Sequence, residues 1–275
     1  MLNKELLIQQ IKTSKDFFDM AEQMKLEVET FYKTFEDSPN KHSAWGHHYF
    51  CKEDGSVLEY NPSAPHHHIC PICKKVYSSS LLDDVWIYLY RNEAALTILK
   101  AAVLYKITDK KKYLDIVVSL ASFYILSFEK FELHNKEDTM KWGCGRIMPQ
   151  NLNECIFFIR IFTGLEVVKD ELPKDFMEFI RKKFCRQFYD LLNPQINKIH
   201  NISCWMNSAL GVIGLFAGDE KLIHFAFEGQ FNINRQLKEG VTEDGSWYEG
   251  SIHYNFFTLE GILYLALFAK NYKKE

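Results

Sequence analysis

The residues best suited to chemistry sit where the apolar repeats of this chain are interrupted. Cys70-Pro-Ile-Cys73 is half of a tetrahedral metal site, because two thiolates at that spacing can face one ion. Cys51 supplies a third thiolate from upstream. The fourth ligand is open among His68, His66, His67 and Asp54. His68 is preferred, since its spacing of two from Cys70 lets a bent loop present both. Such a set would hold a structural zinc; no open His/carboxylate triad suggests a catalytic one. Free thiols in a loop are the alternative. A second group is the stretch "TEDGSWYEGSIHYNFFTLEG" (242–261), where Trp247, Tyr248, His253 and Tyr254 crowd with acids at the mouth of an apolar run. A plain surface loop has no need of that combination. A third group is Arg146, Gln150, Asn153 and Glu154, with Asn201 and Trp205 further on.

Each residue also has a purely structural reading. Asn201 precedes an apolar helix and is a good N-cap. Gln150, Asn153 and Glu154 fall near one face of a helix, and buried polar groups usually pair among themselves. Trp247 and Glu249 could simply support their loop, and Tyr254 could pack the start of a helix.

The elements that must position these residues are helical. The first 37 residues read as one or two helices of mixed charge. Residues 38–82 change to Ser, Pro, Gly, His and Cys with little helical pattern. From residue 84 onward the apolar spacing is helical almost throughout. It predicts helices over 85–108, 109–131, 151–168, 172–192, 203–218, 219–240 and 254–271, joined alternately by short turns and longer loops. Antiparallel helix pairs in series make a bundle, a solenoid or a closed (α/α) toroid. The expected fold is all-α, a toroid of antiparallel helix pairs with a loop-rich His/Cys zinc-knuckle insertion near the N-terminus. The expected division is 1–37, 38–82 and 83–275.

The 275 residues are 47% hydrophobic and 15% aromatic, enough for a substantial core, and the formal charge is −3. That balance gives no nucleic-acid surface, so an anionic ligand would need a local cluster. No run of about 18 apolar residues is evident, so no membrane span is expected. The first 20 residues carry no signal-peptide core, which favours a cytoplasmic location for the chain as it stands. A secreted or periplasmic location would require a leader ahead of it. Seven cysteines, an odd number with one close pair, fit a reduced compartment or one metal site better than a disulfide framework.

Three stretches together resemble the heparinase II/III-like polysaccharide lyases. "HHYFCKEDGSVLEYNPSAPHHHICPICKKVY" (47–77) looks like that group's His/Cys knuckle. "GRIMPQNLNECIFFIRI" (145–161) is similar to its inner-helix pattern. "NISCWMNSALGVIGL" (201–215), followed by "EDGSWYEGSIHYNFFTLEGIL" (243–263), is the most specific pairing. The resemblance covers about residues 40–270 and implies the α/α toroid of a protein whose β-sandwich domain lies beyond this chain. It implies β-elimination on an acidic polysaccharide with no catalytic cofactor. Asn201 would neutralise a uronate carboxylate, and Tyr254 would act as the acid and also fits the base. The family often has Asn-His where this chain has Asn201-Ile202, so His200 is the remaining histidine there. Arg146, Gln150, Asn153, Glu154, Trp205, Trp247, Glu249 and His253 would contact sugar. A non-catalytic glycan-binding or scaffold domain is the rival reading.

Overall fold

The computed structural model describes residues 3–135 and 143–272. Lys141 and Trp142 of the stretch ahead of Gly143 lie outside the described residues. The chain forms two compact units that divide inside one helix: Asn3–Phe157, and the described residues from Phe158 onward.

The first unit starts with α1 (Lys4–Thr13) and α2 (Lys15–Lys33). A loop-rich segment follows, holding only a short hairpin, β1 (His68–Ile69) paired antiparallel with β2 (Val76–Tyr77). Helix α3 (Ser80–Thr108) is long because its apolar residues continue for eight turns between two clean ends. The Ser79 side chain accepts from the Leu82 N–H at the start, and Asp109 takes the left-handed conformation at the stop. Helix α4 (Lys111–Leu126) packs on α3, as does α2. A small core of Tyr49, Cys51, Leu58, Cys70, Leu82 and Val85 seats the hairpin segment on the start of α3.

At the centre of this unit Arg91 is fully buried. Its guanidinium pairs with Asp37 at 3.0 and 3.3 Å and donates to the carbonyls of Ser38, Lys41 and Ile147. Tyr124 of α4 donates to the same Asp37 carboxylate. One ion pair therefore closes the 37–41 and 147 loops onto α3 and α4. Removing one partner of such a pair costs about 3–5 kcal/mol, because the other charge is left buried.

Helix α5 (Asn151–Val167) crosses the division between the units. The second unit continues with α6 (Lys174–Phe179), a π turn at Ile180–Phe184 and α7 (Cys185–Leu192). Then come α8 (Asn201–Ala217), α9 (Glu220–Glu228), α10 (Ile233–Gly240) and α11 (Ile252–Asn271). The expected single helix over 219–240 is two: Gly229 ends α9 and Asn232 caps α10 with its side chain. From residue 80 onward the described residues form no sheet, only isolated bridges.

Helix α8 is the core of this unit, buried at every position except Ile202. Its glycines let neighbours close in. A Cβ on Gly211 would meet Leu265 and Ala226, and one on Gly214 would meet Leu222 and Ile223. Those contacts run α9 antiparallel to α8. Trp205 lies against Gly261 and Phe257, four residues or more before the Gly211–Leu265 contact, so α11 runs parallel to α8. Both helices therefore start at the same end of the unit.

Among the described residues α11 is long and apolar enough, by length and composition alone, to cross a membrane, a property that core helices also have. Its Thr258, Gly261, Leu265, Phe268 and Ala269 are buried, with the closest packing on α8, while Ile252, Phe256, Leu259, Leu263 and Leu267 are exposed.

Gly214→Ala tests the close packing. Alanine gains about 1 kcal/mol of helix propensity over glycine. Here, however, its Cβ would lie 2.8 Å from Leu222 Cβ and 3.0 Å from the Ile223 nitrogen. We expect a net loss, set by an overpacking penalty of about 1–3 kcal/mol, read by urea unfolding. Unchanged or raised stability would show that α9 yields freely.

Candidate functional site

The polar centre of the second unit forms where the 242–251 loop meets the start of α8. The loop needs two left-handed turns, at Gly245 (φ +83°) and Gly250 (φ +70°), a region glycine enters without strain. Trp247 is then buried against Gly240, where a Cβ would sit 2.3 Å from the indole ring. Its backbone N–H donates to Asn255 Oδ1. Tyr248 stays partly exposed and donates its hydroxyl to the Ile199 carbonyl.

Glu249 is the hub. Its carboxylate accepts from Asn201 Nδ2 at 3.0 and 2.7 Å, from the Asn201 backbone N–H at 3.3 Å and from Trp247 Nε1 at 2.5 Å. His200 Nε2 lies 3.2 Å away. The positive end of the α8 dipole adds to the favourable field. So Glu249 and Trp247, expected to touch sugar, are committed to this internal network. Asn201 is nearly buried within it.

His200, rather than Asn201, is the N-cap of α8: its Nδ1 accepts from the Ile202 N–H at 3.2 Å. Its own backbone N–H donates to Gln236 Oε1 at 3.0 Å. Gln236 is fully buried and also donates to the Lys198 and Phe231 carbonyls. Sequence reasoning passed over Gln236 and Asn255. The available signal was a polar residue on the inward face of "INRQLKEG".

Tyr254 and His253 stand in the first turn of α11. Tyr254 is 43% exposed, and no partner for its hydroxyl is found among the described residues. His253 is exposed and stacks on Phe257. Trp205 is buried between Gly261, Phe257 and Tyr264, so it offers no face to a ligand.

Arg146, Gln150, Asn153 and Glu154 belong to the first unit. Glu154 is fully buried and accepts from the Ile147 and Met148 N–H groups. Burial pushes its carboxyl up to about 7, against the pull of those donors. It shapes the loop ahead of α5. Arg146 donates to the Phe131 carbonyl and lies over the Phe128 ring. Asn153 donates to Tyr88, while its buried Oδ1 finds no partner among the described residues. Gln150 is half-buried.

The hairpin segment contains one group that could hold a metal ion: Cys51, Asp54, Cys70 and Cys73, with ligand atoms within 4.8 Å of one another. Two matching turns build it. Gly55 N donates to Cys51 O, and Lys74 N to Cys70 O; Cys51 N donates to Ser56 O, and Cys70 N to Lys75 O. Gly55 and Lys74 both take positive φ, and Asp54 occupies the place in the first turn that Cys73 holds in the second. Backbone N–H groups point at sulfur: Glu53 at Cys51, Ile72 and Cys73 at Cys70. Burial opposes ionisation of Cys70, but the Ser56 hydroxyl and those N–H groups hold its thiol below the ordinary value.

The expectation of His68 as fourth ligand is corrected. His68 is fully buried, with Nδ1 at 2.8 Å from the Tyr49 hydroxyl and Nε2 at 2.8 Å from Asp83. Neither nitrogen is free. The neighbouring His66 pairs with the other oxygen of Asp83.

A family model for alginate lyases matches residues 91–274. Among curated relatives, an exo-oligoalginate lyase of Saccharophagus degradans is 25% identical over 176 residues, spanning 60% of this chain and 23% of the relative. An alginate lyase of Stenotrophomonas maltophilia is 25% identical over 184 residues, spanning 64% and 24%. The matched stretch thus spans about a quarter of the length of either relative.

Burial holds His200 below its ordinary value, against the pull of Glu249. The unfolded chain then takes this proton more readily than the folded one. The resulting stability is present above the unfolded value of about 6.5 and is lost as pH falls from there toward the folded value. His200→Asn keeps a capping side chain without that proton. The variant is expected to lose less melting temperature than the parent between pH 7.5 and pH 5; an equal loss would place His200 outside the acid response. The match over 91–274 and the polar assembly at the starts of α8 and α11 lead to one assignment: the chain belongs to the alginate lyase family, a family of polysaccharide lyases.

Proposed function

We propose that the protein acts on a uronate-containing glycan, alginate first among them, by β-elimination. The observation that carries this reading is the parallel run of α8 and α11, which starts Asn201 and Tyr254 at the same end of one unit. Family membership and the likeness of the 201–215 and 243–263 stretches to the heparinase II/III-like group support it. The antiparallel α8–α9 pair, with α11 returning parallel to α8, suits the inner and outer helices of an (α/α) toroid.

Elimination removes the proton at C5 and breaks the C4–O4 bond, leaving a C4=C5 double bond. The C5 proton is weakly acidic while the adjacent carboxylate keeps its charge, so that charge must be met by donors. Asn201 is assigned that contact, helped by the field at the starts of two helices. Tyr254, exposed and with a free hydroxyl, supplies the proton that O4 takes. In its phenolate form the same group can first take the C5 proton, so one residue closes the proton balance. Phenol oxygens start near pKa ~10, so the phenolate needs the positive field of the site.

The test is the growth of ultraviolet absorbance from the unsaturated uronate product across a panel of uronic-acid polymers. Tyr254→Phe should lower the rate by about 10²–10⁴-fold with its melting curve intact, and Asn201→Ala by about 10²–10³-fold, with a stability loss of about 1–3 kcal/mol because Glu249 loses a donor. Wild-type-like turnover in Tyr254→Phe would end the assignment. Polymer binding without elimination by the parent protein would favour a glycan-binding domain.

The cluster at 51–73 is assigned a structural zinc, held by Cys51, Asp54, Cys70 and Cys73. A tetrahedral ion with Zn–S of about 2.3 Å sets its sulfurs about 3.8 Å apart. Cys51 and Cys73 lie 3.6 Å apart, and N–H groups already face the sulfurs as they would face thiolates. Bound there, zinc would contribute to local folding. Elemental analysis should find one zinc per chain, lost in Cys73→Ser and kept in His68→Gln, with chelator lowering the melting temperature. Metal-free protein indifferent to chelator would refute the site.

A further inference from the structure

We propose that Glu249 is the positioning residue of the lyase site, fixing which atoms of Asn201 meet the substrate and withdrawing His200 from proton transfer. This rests on the lyase reading above and assigns Glu249 a role other than sugar contact.

An ionised Glu249 has no hydrogen to give, so any group facing it must be a donor. The amide of Asn201 is thereby turned nitrogen-inward, toward Glu249. Nδ2 lies 3.0 Å from one carboxylate oxygen and 2.7 Å from the other, the pattern of one hydrogen shared between both. The second Nδ2 hydrogen and Oδ1 are not taken by Glu249, and in the proposed site they meet the ligand. That pair suits a uronate carboxylate together with a neighbouring hydroxyl: the N–H meets the anion and Oδ1 takes the hydroxyl. Without Glu249 the amide could turn over, and the anion would then meet Oδ1.

His200 is held between the start of α8 and the same carboxylate. Its Nδ1 lone pair takes the Ile202 N–H, so the ring proton of the neutral form sits on Nε2. Nε2 faces Glu249 at 3.2 Å. With one nitrogen capping α8 and the other donating, the imidazole has no lone pair left for a C5 proton. The charge of Glu249 also need not repel a uronate. Asn201 Nδ2, the Asn201 N–H, Trp247 Nε1 and His200 all offset it from within.

The experiment compares Glu249→Gln and Glu249→Asp with the parent by steady-state kinetics and by nitrogen–proton spectra of the Asn201 side-chain amide and the His200 ring. Glutamine places an NH₂ among donors, whereas aspartate keeps an acceptor on a shorter stem. We expect Glu249→Gln to lower kcat by about 10–100-fold, leave KM within about threefold, and be partly rescued by aspartate. In the parent, one Asn201 Nδ2 proton should lie downfield, a signature that should vanish in Glu249→Gln, while the His200 ring proton should stay on Nε2 in both because the Ile202 N–H holds Nδ1. A kcat within about threefold of the parent, or Asn201 amide protons unshifted in the parent, would overturn the proposal.

If the parent eliminates no polymer, the lyase reading fails separately. The same amide signals are then followed during titration with a saturated oligo-uronate. A shift lost in Glu249→Gln supports the positioning role. A shift retained, or none in the parent, overturns it.

Discussion

Backbone polar groups buried in loops must find partners, and this chain meets that constraint with a few charged side chains rather than with sheet. Arg91 does so in the first unit. Its five donors in a rigid fork reach Asp37 and three loop carbonyls at once, which a lysine could not do from one position. Glu249 does so in the second, accepting where Arg91 donates. The loops beside these charges are thereby tied to the helices they join.

The second unit shows how far packing precedes chemistry. Gly211 and Gly214 on α8, and Gly261 on α11, remove the side chains that would keep the helices apart. With α11 drawn parallel to α8, two helix starts fall at one end. At the far end Lys169 donates to the Phe216 carbonyl and to Tyr272, which in turn donates to Glu166. Burial lowers the Lys169 ammonium below its ordinary value, so this tie between α8 and α11 is made at some electrostatic cost.

The hairpin segment follows the same logic with sulfur. Two turns of like geometry aim N–H groups at Cys51 and Cys70 and bring Asp54 and Cys73 alongside. His68, which sequence spacing favoured, instead links Tyr49 to Asp83 and so fastens the hairpin to the start of α3. Burial is the first cause that lifts Tyr49 to about 12, with Asp83 adding to it, so the phenol remains a donor in that chain.

Much of this was written in the sequence. Apolar spacing at 3.6 residues specified α5 and α11 to within two residues and α3 and α4 to within five, because a buried stripe leaves its period in the chain. Cys51, Cys70 and Cys73 announced themselves by type and come together in the fold, and Gly245 and Gly250 marked the turns of the 242–251 loop. Other assignments needed the fold. The break at Gly229–Asn232 depends on a cap that competes with continued helix, and local pattern does not weigh the two. Asp54 replaced His68 because a turn's φ angles, rather than residue type, decide which side chain faces the sulfurs. Trp205 and Glu249 look like ligand contacts in the sequence. Only the approach of α11 and of the 242–251 loop shows that one is packed against glycine and the other is filled with internal donors. Residue type determines what a group can do, and the neighbours brought in by tertiary structure decide which of those capacities remain free.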